Sequence, residues 1–133
     1  MDFYKLIRES GKLTPEECEN LHKYVDASKL IVAACKLKIQ HKEPTRIGII
    51  DALKSSLSVA KKEIRQSEAE YNPPTAIPQY VQFEQLSNEE LYSYIPIYFK
   101  GLEQHCINEF GQELYEKCFK IVWDYAFENR NQY

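Results

Sequence analysis

Between Thr14 and Asn72 the chain carries two apolar seams of equal length on either side of a proline, and few folds other than an antiparallel helical hairpin can use both. Cys18, Leu21, Val25, Ser28, Val32, Cys35 and Ile39 follow one another at alternating three- and four-residue steps, which lines them up on one helical face. Pro44 ends that run. Ile50, Leu53, Leu57, Ala60, Ile64, Ser67 and Tyr71 then repeat the spacing until Asn72, Pro73 and Pro74 stop it. Thr14-Pro15-Glu16-Glu17 is a capping-box start, and Thr45 is an N-cap for the second arm. The expected helices are 15–42 and 46–71. Folding at Pro44 sets Ile39 against Ile50, Cys35 against Leu53, Val32 against Leu57, Ser28 against Ala60, Val25 against Ile64 and Leu21 against Ser67.

The edges of this hairpin differ. On one, Lys36 falls near Lys54 and Lys29 near Lys61, with His22 near Glu68 as the favourable pair. The other carries Tyr24 and Ile31 against Ile49 and Ser56, apolar enough to meet the rest of the protein. Net charge is −3 overall, yet Lys29 to Arg65 holds nine basic and three acidic residues, a net of +6 that leaves −9 for the remainder. Acids of the C-terminal half, Glu84 among them, could cover the lysine edge; left uncovered, that edge is a binding surface.

The rest of the chain reads as more helix. A short helix over 2–9 precedes Ser10-Gly11, and a proline-rich connector over 72–86 uses Ile77, Tyr80, Val81 and Phe83 to pin itself to the bundle. Ser87 with Glu90 is a second capping box, opening a helix over 88–110 that Pro96 should kink or restart. Gly111 separates it from a final helix over 112–128. The fold expected is all-α and single-domain over 1–133: an irregular four-helix bundle built on the hairpin.

Chemistry is sparse. Cys18 and His22 have the four-residue spacing of two metal ligands, but a complete site needs two more, so no metal is assigned. His105 and Cys106 are adjacent on a helix and point about 100 degrees apart, which prevents them from acting on one another. A His105 pairing with Cys118 or Cys18 would need another helix to deliver the thiol. The four cysteines form no CxxC and read as reduced core thiols. No glycine-rich phosphate loop, GxSxG or HExxH occurs, so no cofactor and no enzymatic activity are expected. The opening Met1-Asp2-Phe3-Tyr4-Lys5 lacks the basic-then-apolar start of a secretory signal, and Leu30 to Cys35, the longest apolar run, cannot span a bilayer. A cytoplasmic protein without membrane partners is the expectation.

Ten tyrosines remain to be placed. Tyr92, Tyr94 and Tyr98 cannot share one helical face, so at least one is exposed, and exposed tyrosine suits a protein interface. The leading expectation is a non-enzymatic protein that binds another protein, as adaptor, inhibitor or immunity-type factor. Its contact residues would be Lys29, Lys36, Lys42, Arg46, Lys54 and Lys61 on the basic edge, with Tyr92, Tyr94 and Trp123 on the aromatic face. One alternative is nucleic-acid binding by the basic tip and ridge; another is a homo-oligomer pairing hairpin with hairpin.

Overall fold

The computed structural model describes residues 3–22, 27–71 and 83–127. They form six α-helices: α1 (Phe3–Glu9), α2 (Pro15–His22), α3 (Ala27–Lys42), α4 (Arg46–Tyr71), α5 (Asn88–Phe110) and α6 (Gln112–Val122). A 3₁₀ turn, Phe83–Gln85, precedes α5, and a π-helical turn, Trp123–Phe127, follows α6. No strand occurs among the described residues, and the fold is an all-α bundle.

The starts of these helices follow the local chemistry of the sequence. At α2 the Thr14 amide donates to Glu17 Oε1 (3.0 Å) while the Glu17 amide donates to Thr14 Oγ1 (3.1 Å). Ser87 and Glu90 form the same reciprocal pair at α5. Each box satisfies two amides that the first turn leaves without partners. At the tip, Thr45 Oγ1 accepts from the Gly48 amide (3.1 Å), and Gln40 Oε1 accepts from the Thr45 amide (3.0 Å), fastening the end of α3 to the start of α4. Gly111, at φ 87°, makes the break between α5 and α6 in a backbone region that disfavours residues with a Cβ.

Of the first arm, expected as one helix over 15–42, the described residues form α2 and α3; residues 23–26, and with them Tyr24 and the Val25–Ile64 pairing, lie outside the described residues. The α3–α4 register holds near the tip, where Lys36 reaches Asp51 and Gln40 reaches Thr45 and lies against Gly48. Yet α3 is not amphipathic around a single seam. Ala27, Leu30, Ile31, Ala33, Ala34, Cys35, Leu37 and Ile39 are all buried, whereas the seam residues Ser28 and Val32 are only half-buried. Burial over more than one face, with only the side of Lys29 and Lys36 left open, marks a central helix. α3 packs against α1, α4, α5 and α6, and the most extensive helix pairing of all is α4 with α5.

That pairing explains two corrections at the far end of the expected hairpin. Ser67 does not face α2: its Oγ donates to the Ile97 carbonyl of α5 (2.9 Å). Glu68, expected beside His22, accepts instead from Tyr98 and from Arg65. α2 is held elsewhere, with Lys117 of α6 2.9 Å from the Glu17 carboxylate.

Where α4 crosses α5, Gly101 lies so close to the α4 backbone that a Cβ built on it would stand 2.9 Å from the Ile64 Cα. The backbone break of the bundle lies nearby in α4, where Ala60 leaves the helical region (φ −144°, ψ 42°). Pro96, expected to kink its helix or restart it, sits inside one continuous α5, so the helix does not restart there. Of the connector, Phe83 is buried and packs edge-on against Tyr94 and Tyr98; Ile77, Tyr80 and Val81 lie outside the described residues. Ile31, Ile49 and Ser56, placed by sequence on the edge facing the rest of the protein, are buried.

Candidate functional site

The lysine edge is dispersed by its partners. Lys36 reaches across to Asp51 of α4, 3.4 Å away and one turn before Lys54. Lys54 turns to the Glu84 carboxylate, which falls below its usual range because Lys54 hydrogen-bonds to it. Arg46 donates to Asn88 Oδ1 (2.9 Å) and to the Glu84 carbonyl (2.8 Å), closing the start of α4 onto the start of α5. Lys29 and Lys61 are exposed further along the edge. Acids at 51 and 84 therefore break up the four-lysine ridge.

The aromatic residues do not form one face either. Tyr94 is half-buried, its ring edge-on to Phe83 and Tyr98, and burial followed by the nearby Glu68 charge pushes its phenol pKa up. Tyr92 stands on the outside: its ring stacks on His41 at 5.5 Å and its hydroxyl donates to the His41 carbonyl (3.2 Å). Trp123 is buried, stacked on Phe119 at 6.2 Å with 8° between planes. Lys38 lies 4.1 Å above the indole and Lys42 lies 5.2 Å from it. Cation–π contact of this kind fixes the lysine stems while leaving their charge intact.

Around these residues lies a groove that sequence did not disclose. A cavity of about 410 Å³ opens between α3 and α5, with Leu37, Ile95, Pro96 and Phe99 as its apolar walls. Lys38, His41, Lys100 and Glu103 stand at its lip. A second cavity of about 170 Å³ adjoins it, sharing Phe99 and Glu103 and continuing over Ile107, Tyr115 and Phe119 toward Gln112 and Glu116. Phe99 and Phe119 meet edge-on at 6.2 Å where the two join. Beyond the His41–Tyr92 stack lies a third space of about 420 Å³, at the tip between Arg46, Ile49 and Asn88. Of the residues singled out from sequence, none lines the two joined cavities; Arg46 and Tyr92 line the space at the tip, and Trp123 touches the groove through Phe119 and Lys38. The groove needs three helices, so only the spacing of Pro96, Phe99, Glu103 and Ile107 on one face of α5 could have hinted at it.

Three of the four thiols are buried. Burial pushes the Cys35, Cys106 and Cys118 thiols up to about 12, far from the thiolate that a nucleophile requires. His105 Nδ1 faces the Glu63 carboxylate across the α4–α5 interface at 3.1 Å. No three His, Cys, Asp or Glu side chains converge as metal ligands among the described residues. No described helix is long and apolar enough to cross a membrane. Comparison with protein-family models, with curated proteins and with solved structures found no match.

Proposed function

We propose that the chain is a non-enzymatic module that binds another protein, and that its binding surface is the groove between α3, α5 and α6. The observation that carries this reading is the pairing of apolar walls at Leu37, Ile95 and Phe99 with a lip of Lys38, His41 and Lys100. An apolar trough gives a partner side chain somewhere to bury, at about 25 cal/mol per Å² of apolar surface removed from water. The lysines of that lip, of which Lys100 is itself 3.6 Å from Glu70, favour a segment carrying acids beside its apolar residues. Lys42 and Tyr92 extend that lip toward the tip, where Ile47 is 84% exposed. Neutralisation of Lys36 and Lys54 by Asp51 and Glu84 counts against a phosphate-tracking ridge, because nucleic-acid binding depends on basic charge that counterions leave. Binding would act by occlusion or scaffolding, without turnover.

The test compares the wild-type protein with Phe99→Ser and Lys38→Glu in pull-downs at low and high salt, with and without nuclease, after circular dichroism has shown both variants folded. A discrete protein that survives salt and nuclease, and that both variants lose, supports the groove. Capture that both variants retain overturns it. Signal that disappears with nuclease favours nucleic acid, and a concentration-dependent dimer mass abolished by the variants favours self-association.

A further inference from the structure

The lip of the larger groove cavity holds one cation and one anion that no opposite charge engages among the described residues. Four titratable side chains line that cavity, and two of them are already occupied: Lys100 lies 3.6 Å from the Glu70 carboxylate, and His41 stacks on Tyr92. The other two are Lys38 on α3 and Glu103 on α5. Lys38 is half-buried, with its ammonium over the rings of Phe119 and Trp123, and it forms no ion pair among the described residues. Glu103 is half-buried as well, lines both joined cavities, and likewise forms no ion pair among the described residues. A ring face attracts an ammonium without neutralising it. Each of these charges is therefore partly withdrawn from water with no counter-charge to offset the cost.

A ligand bringing only a carboxylate would gain Lys38 and be repelled by Glu103; one bringing only an ammonium would meet the reverse. A zwitterionic head group engages both and adds no net charge to the site. Leu37, Ile95, Pro96 and Phe99 then give an apolar tail a place to leave water. The cavity volume of about 410 Å³ stands near the lower end of the roughly 300–1,000 Å³ typical of small-molecule sites, which suits a ligand of amino-acid size. We infer that this cavity binds a free α-amino acid with a large apolar side chain, its carboxylate on Lys38, its ammonium on Glu103 and its side chain among the apolar walls. Such a ligand binds whether or not a protein also docks on the groove, and the two would compete for the same walls.

The probe is L-phenylalanine, titrated into the full chain by isothermal calorimetry. Two derivatives each remove one charge: L-phenylalanine amide keeps the ammonium and replaces the carboxylate with a neutral group, and N-acetyl-L-phenylalanine does the opposite. Each should bind about tenfold more weakly than phenylalanine, the effect of losing one charge-assisted hydrogen bond. Glycine, with the head group and no tail, should give no saturable heat. Lys38→Met should weaken phenylalanine about tenfold without weakening the amide, and Glu103→Gln should weaken phenylalanine about tenfold without weakening the N-acetyl derivative. A merely structural role for either residue would lower all affinities together.

Equal affinity for phenylalanine and its two derivatives overturns the head-group contacts. Glycine binding as tightly as phenylalanine overturns the part played by the apolar walls, and no saturable heat with phenylalanine in the millimolar range overturns the site. Because these comparisons need only the wild-type protein, a variant that fails to fold leaves them intact.

Discussion

One methyl group at residue 101 would have nowhere to go. The Gly101 Cβ position is 2.9 Å from the Ile64 Cα and 3.0 Å from the Glu63 carbonyl oxygen, and both are backbone atoms that cannot rotate aside. Gly101→Ala should separate α4 from α5 and destabilise the protein by about 1–3 kcal/mol, read as a lower urea midpoint; an unchanged midpoint would mean that the crossing is looser than described. The thiols give a second test at this scale. With Cys35, Cys106 and Cys118 raised to about 12 and buried, and Cys18 half-buried, a thiol reagent at neutral pH should modify Cys18 first. The other three should react only on unfolding. Rapid reaction of all four in the native protein would contradict this burial.

Elements show what sequence can and cannot disclose. Both capping boxes, the Thr45 cap and the α3–α4 register at the tip were legible because each depends on residues close in sequence or on one turn of known length. Ser87→Ala should therefore cost about 1 kcal/mol, seen as a drop in thermal midpoint, since the Glu90 amide loses its acceptor. The environment of α3 was not legible. Its residues fit a single seam as readily as a helix buried on several faces, and only contacts with α5 and α6, made from far along the chain, decide between them. The same limit hid the groove. Lys36 and Lys54 read as a ridge because the acids that engage them, Asp51 one turn before Lys54 and Glu84 across the connector, depend on side-chain reach and long-range docking. Trp123 read as a surface anchor because nothing local in sequence announces two lysines above its ring.

For the molecule as a whole, Lys117 with Glu17 ties α6 to α2 across 100 positions of sequence. The Thr14 amide and then Lys117 hold the Glu17 carboxyl below its ordinary value of 4.5. A carboxyl depressed in the folded state stabilises the fold above its unfolded value and loses that contribution as pH falls through the folded one. Stability should therefore decline as the pH drops below about 4.5. Glu17→Gln should make that decline shallower in urea titrations taken at stepped pH, and an unchanged slope would place the acid sensitivity elsewhere, Glu84 being the next candidate.

The enclosed position of α3 also bears on synthesis. α3 is complete at Lys42, but α6, which covers part of it, is not complete until Val122, about 80 residues later. At roughly 5–20 residues per second the part of α3 that α6 covers waits about 4–16 s for its cover, an apolar face within reach of any chaperone that shields such segments as they leave the ribosome.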